Sequence, residues 1–106
     1  MKSTTEYQIF IGCNDSQLQR ELITIEELIK GISCYFQKEK IDFTILRASG
    51  GYHHKNGWFV TENSLCINII GCSSNIDIIK LAKGLSMIMN QEHTLIIKNS
   101  IEEEFK

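Results

Sequence analysis

Apolar positions along the chain repeat with period two in some segments and with helical spacing in others. Tyr7-Gln8-Ile9-Phe10-Ile11-Gly12-Cys13 is short, β-branched and aromatic, and it stops at glycine and Asn14-Asp15, which predicts a strand. A polar connection follows over 14–22. Thr24 and Glu27 then have capping-box spacing, and Ile23 and Leu28 occupy the two positions of a hydrophobic staple. Ile25, Leu28, Ile29, Ile32 and Phe36 recur at helical spacing and predict a helix that ends near Lys38 to Lys40.

The segment 41–49 reads as a strand, with Phe43 and Ile45 on one side and Thr44 and Leu46 on the other. Gly50-Gly51 is expected to break it. Residues 52–57 then form a polar hairpin tip, with Asn56-Gly57 as its turn dipeptide. A long strand follows over 58–70, then a loop, Gly71-Cys72-Ser73-Ser74-Asn75, rich in helix caps. A second helix over 76–91 carries Ile78, Leu81, Ala82, Leu85, Ile88 and Met89 on its apolar stripe, and 93–101 gives a last strand.

The order β-α-β-β-α-β is the split βαβ pattern. It predicts an α+β, ferredoxin-like fold: a four-stranded antiparallel sheet with two helices on one face. The 106 residues form one domain, with 102–106 an acidic tail expected to fray. Ile9, Ile11, Phe43, Ile45, Leu65, Ile67, Ile69, Leu95 and Ile97 are expected to face the helices. Phe10, Leu46, Cys66, Ile70 and Ile96 then line the uncovered face, more apolar surface than solubility needs. That face is expected to bind a partner, although a register slip of one residue would reverse both sets.

Composition narrows the function classes. Eleven basic and 13 acidic residues give a net charge of −2, which argues against direct nucleic-acid binding through bulk positive charge. No apolar run reaches membrane-spanning length, and the N-terminus lacks a signal-peptide pattern, so a cytoplasmic protein of a bacterial host is expected. Cys13, Cys34, Cys66 and Cys72 include no C-x-x-C pair and are expected to be free thiols, with Cys13 and Cys72 at strand ends. The chain has 18 Ile, 9 Lys and 7 Asn but 2 Ala, 2 Arg and no Pro, which follows A+T-rich codon usage.

Candidate chemistry gathers around the central hairpin. Tyr52, His53, His54, Lys55 and Trp58 offer aromatic anchors, hydrogen bonds and one firm positive charge, a pattern suited to partner recognition. A solvated tip whose aromatics cap the core is the simpler alternative. His53 or His54 has the protonation range of a base, and Glu62 in the next strand can approach the hairpin, but no motif singles out a nucleophile. Adjacent histidines on extended backbone point to opposite sides, and His93 is distant, so no metal site is expected. Gly50-Gly51 lacks the strand-to-helix context of a phosphate loop and reads as a bulge or bend. The Gly71–Asn75 loop opens a helix and is placed to meet an anion, though ordinary capping explains it as well. No cofactor is expected.

At Gly51-Tyr52-x-x-x-x-Gly57 and Glu62-Asn63-Ser64-Leu65-Cys66-Ile67-Asn68-Ile69 the chain resembles small proteins carried by conjugative elements, plasmids and phages of low-GC Gram-positive bacteria. The topology is also similar to that of PII-like signalling proteins, trimers that bind nucleotides at subunit clefts, although a basic phosphate-gripping cluster is lacking. Such mobile-element proteins often counter host defence. The resemblance therefore implies a non-enzymatic, anti-CRISPR-like inhibitor that contacts a defence nuclease such as a CRISPR effector. A PII-like homo-oligomeric sensor of small molecules or nucleotides, or a structural assembly subunit, are its alternatives.

Overall fold

The computed structural model of the chain describes residues 2–14, 21, 23–53, 55–71, 78–91 and 94–104. The elements are β1 (Lys2–Gly12), α1 (Ile25–Glu39), β2 (Thr44–His53), β3 (Phe59–Ile70), α2 (Ile78–Ile88) and β4 (Leu95–Glu103). All pairings are antiparallel, and the strand order is β2-β3-β1-β4. This is the expected α+β, ferredoxin-like arrangement. Glu102 and Glu103 pair with Ser3 and Lys2, so β4 runs into the segment expected to be a solvated tail, and β1 starts five residues before Tyr7.

The core lies between one sheet face and the helices. Ile9, Ile11, Leu65, Ile67 and Ile69 are fully buried there, together with Leu28, Ile32 and Phe36 of α1 and Ile78, Ala82 and Leu85 of α2. Phe36 stacks on Phe43 with ring centroids 5.0 Å apart. Burying a phenylalanine of this kind contributes about 2–3 kcal/mol. α1 starts where the capping box places it: Glu27 N–H donates to the Thr24 hydroxyl at 3.1 Å, and that hydroxyl donates to the Glu27 carboxylate at 3.0 Å. The helix ends at Lys40, which is left-handed (φ 57°), with Lys40 N–H on Gln37 O and Ile41 N–H on Phe36 O. Those two bonds form a Schellman motif built without glycine.

Two expectations are corrected. Gly50-Gly51 does not break the strand. Gly50 pairs with Glu62, Gly51 with Thr61, Tyr52 with Val60 and His53 with Phe59, so β2 continues past the glycines in regular register. The Phe59 ring lies against Gly51, closer than a Cβ there would permit, and covers the bare backbone. Tyr52 and His53 are therefore strand residues, not part of a tip. In β4 the expected faces are reversed. Ile96 opposes Ile9 and packs against the core, whereas Leu95 opposes Phe10 and is 58% exposed. Residues directly opposite share a face, so Ile96 leaves the proposed partner surface and Leu95 joins it.

Candidate functional site

Pairing fixes what the helix-free face of the sheet carries. Tyr52, Gly50, Ala48, Leu46 and Thr44 on β2 oppose Val60, Glu62, Ser64, Cys66 and Asn68 on β3. Across β3, Ser64 opposes Gly12, Cys66 opposes Phe10, and Asn68 opposes Gln8. Three zones result. Small residues surround Glu62, the apolar residues Leu46, Cys66, Phe10 and Leu95 form a band across all four strands, and amides surround Glu6 beyond it.

Glu62 is the centre of the first zone. It is half-buried, with glycine beside it on both neighbouring strands, Gly50 on β2 and Gly12 on β1. Its carboxylate lies over Gly12: all three terminal atoms fall within 2.7 Å of where a Cβ would stand. The ladder between β1 and β3 ends here, with Cys13 N–H on Asn63 O at 2.9 Å. Beyond it, the carboxylate replaces the missing strand partner and accepts the Asn14 N–H through Oε2 at 2.9 Å. Glycines at 12 and 50, with Ala48 and Ser64 beside them, make a trough of small side chains in which, among the described residues, this carboxylate is the charged group.

The neck of the trough is tied from the helix side. Asn14 and Glu21 form an isolated antiparallel bridge, and Asn63 Nδ2 donates to Glu21 Oε1 at 3.2 Å. Cys13 is buried under this neck. Its thiol is pushed up to about 11, by burial first and then by the negative charges of Glu21 and Glu62. Its position at a strand end does not make it a ready nucleophile, since the neutral thiol is the weaker one. Cys66 is also raised, by burial and then by Glu6. Cys34 is exposed.

Glu6 belongs to the third zone. Asn68 Nδ2 donates to it at 2.7 Å and Asn99 Nδ2 at 3.2 Å. These donors, Asn68 foremost, hold its carboxyl below the usual range. On the opposite face, an exposed Arg47–Glu26 ion pair at 3.1 Å ties β2 to α1 and contributes little to stability.

The structure divides the residues singled out in the sequence. Tyr52 stands on the trough face, one position beyond Gly50 on that side, and is half-buried. His53 points to the other face, where its ring meets Phe59 edge-on at 5.3 Å, so it does not share a site with Glu62. Lys55 and Trp58 lie in the exposed turn, where Trp58 N–H donates to Asn56 Oδ1 at 3.0 Å. Phe10 and Leu46 lie in the apolar band next to the trough. Ile70 is on the same face but opposes Glu6, about 27 Å along the strand from Glu62. Ile96 is on the helix face. His54, Cys72, His93 and the anion-loop residues Ser73, Ser74 and Asn75 lie outside the described residues. Gly12 and Asn14 read in the sequence only as a strand stop; nothing local shows that they meet Glu62.

No family model matches the chain, and no curated protein matches it in sequence. Two solved structures match its fold. One is a phage SAM lyase in complex with S-methyl-5'-thioadenosine, with a TM-score of 0.69 at 24% identity over 97% of this chain and 92% of that one. The other is a phage SAM lyase in the apo state, with a TM-score of 0.68 at 24% identity over 98% and 93%. Both neighbours are phage proteins, in keeping with a mobile-element origin. They overturn the expectation of a non-enzymatic inhibitor of a defence system, and with it the sensor and assembly alternatives. The fold read as a binding scaffold is one on which an enzyme is built, and these neighbours lend no support to an anti-CRISPR or PII-like likeness. At this level of identity the likeness establishes architecture: the chain shares the fold of phage SAM lyase over nearly its whole length.

Proposed function

We propose that this protein is an enzyme that cleaves S-adenosylmethionine without water and releases S-methyl-5'-thioadenosine, with Glu62 as its central acidic group. The observation that carries the reading is the Glu62 carboxylate, held by Asn14 over Gly12 on the open face of this fold. S-methyl-5'-thioadenosine keeps the sulfur, methyl group and adenosine of the substrate. The bond that breaks is therefore the one from sulfur to the aminobutyrate arm, and its electron pair goes to sulfur. A cationic sulfonium leaves as a neutral thioether.

A carboxylate in a trough of small residues suits that substrate. Gly50, with room beside its backbone, admits a flat nucleoside close to the strand. Oε1 of Glu62 faces the positive charge of the sulfonium or of the substrate's α-ammonium. Scission without water has two routes: loss of a proton from the carbon beside the breaking bond, or closure of the substrate's own carboxylate onto the carbon that leaves sulfur. Glu62 accepts the proton in the first and orients the ammonium in the second. The identity of the second product separates the two. Tyr52, on the same face, adds an aromatic edge for the nucleoside.

The apolar band next to the trough supports a homo-oligomer in which a second copy covers this face. A substrate present inside cells supports a cytoplasmic location, and no helix among the described residues is long and apolar enough to cross a membrane.

The test is incubation of the purified protein with S-adenosylmethionine and chromatographic detection of S-methyl-5'-thioadenosine. The product accumulates with the native chain, and Glu62→Gln slows its release by about 100-fold or more. No product from the native chain overturns the proposal.

A further inference from the structure

The residue whose N–H holds Glu62 is itself held by a side chain from the end of α2. Gln91, just beyond α2, donates through Nε2 to the main-chain carbonyl of Asn14, 77 positions away in sequence. Asn14 in turn donates its own N–H to Glu62 Oε2 at 2.9 Å. One residue of main chain thus receives from Gln91 and gives to Glu62.

Gln91 is well fixed for this task. α2 ends in a second Schellman motif: Asn90 is left-handed (φ 48°), Asn90 N–H donates to Met87 O at 3.2 Å, and Gln91 N–H donates to Ser86 O at 2.9 Å. The Ser86 and Thr94 hydroxyls are hydrogen-bonded to each other and brace the same turn against the start of β4. The neighbouring Met89 is buried in the core. The Gln91 backbone is therefore set by the helix end, and its side chain spans from there to β1. Asn14 has left the β1–β3 ladder, and the described bonds that orient it are those to Gln91 and Glu62 and its bridge to Glu21.

We propose that Gln91 is a positioning residue for Glu62, acting through the main chain of Asn14. The inference rests on the reading of Glu62 given above. Without the Gln91 donor the main chain at Asn14 keeps its bridge to Glu21 and its bond to Glu62 but loses the anchor on its carbonyl, so the direction of its N–H, and with it that of Glu62 over Gly12, is held less firmly. Gln91 touches neither substrate nor carboxylate, so its loss acts on turnover more than on binding.

The test uses the full chain with Gln91→Leu, which removes the donor and keeps a side chain of similar volume, and Gln91→Arg, which keeps an N–H donor. Nitrogen-15 NMR reads the Asn14 amide, and steady-state release of S-methyl-5'-thioadenosine reads kcat and KM. In Gln91→Leu the Asn14 amide proton moves upfield. There kcat falls about tenfold, with KM for S-adenosylmethionine changed less than about threefold. Gln91→Arg recovers most of both. If Gln91→Leu does not fold, Gln91→Asn, one methylene short, gives the same pattern. An unchanged Asn14 resonance or an unchanged kcat in a folded variant overturns the proposal. A native chain that releases no product overturns the functional reading instead, while the Asn14 resonance still decides whether Gln91 orders that peptide.

Discussion

The carboxylate of Glu62 occupies the volume that a side chain at Gly12 would take. Gly50, the other glycine beside Glu62, has only the Ser64 hydroxyl near its open position, at 3.6 Å. The two glycines therefore respond oppositely to a methyl group. Gly12→Ala pushes the flexible carboxylate off its Asn14 bond and destabilises by about 0.5–1.5 kcal/mol, the loss of that hydrogen bond. Gly50→Ala is neutral or stabilises by up to about 1 kcal/mol, since alanine orders a strand more readily than glycine. Urea denaturation of both variants checks this. Repeating Gly12→Ala in a Glu62→Ala background removes most of its penalty; an unchanged penalty there shows that the clash is not with Glu62.

The apolar band of Leu46, Cys66, Phe10 and Leu95 tests the proposed oligomer. Leu46 and Leu95 are more than half exposed in the single chain. Leu46→Lys with Leu95→Glu leaves the core untouched and places charges where a second copy would pack. Analytical ultracentrifugation is expected to show the native chain as an oligomer and the double variant as a monomer with the same secondary structure. A native chain that sediments as a monomer at micromolar concentration removes the second copy from the account.

Cys13 makes the fold sensitive to alkali. Its thiol ordinarily titrates at 9.0 and in the folded chain at about 11. Between those values the unfolded chain has lost this proton and the folded chain has kept it, so stability falls as pH rises through that window. The loss is on the order of 2–3 kcal/mol once both forms are ionised. Comparing denaturation of the native chain and Cys13→Ala from pH 8 to pH 11 isolates it, because lysines and tyrosines titrate equally in both. In a Cys72→Ser background at pH 8, a maleimide is expected to modify exposed Cys34 quickly and buried Cys13 and Cys66 slowly. Fast modification of Cys13 in the folded chain contradicts its placement.

Lys40 ends α1 in a left-handed conformation that glycine adopts without penalty. Lys40→Gly is expected to stabilise by about 0.5–1 kcal/mol, raising Tm by about 2–6 °C in a chain of this size. Differential scanning calorimetry reads the shift. A lower Tm would mean that the lysine side chain contributes more at this position than its backbone conformation costs.

Local rules made much of the architecture readable. Thr24 and Glu27 mark the start of α1 because a cap and its partner lie within one turn. Ile9, Ile11, Leu65, Ile67 and Ile69 alternate because strands place every second side chain on the core. Gly50-Gly51 reads locally as a break because glycine weakens a strand, while the β3 partner and the Phe59 ring that hold it in the ladder come from further along the chain. Leu95, Ile96 and Ile97 were ambiguous for another reason: three adjacent apolar residues carry no alternation, and only the pairing of Ile96 with Ile9 chose the face.

The order of elements, the capped first helix, the core stripes and the presence of Glu62 beside a glycine-rich hairpin are all legible from neighbouring residues, since each depends on positions close together in the chain. Tertiary structure alone decided that Glu62 sits between Gly12 and Gly50, that Asn14 holds it and Gln91 holds Asn14, and that His53 faces away. Those relations cross three strands and a helix end, with partners up to 77 positions apart, and the register of a folded sheet brings them within hydrogen-bonding distance.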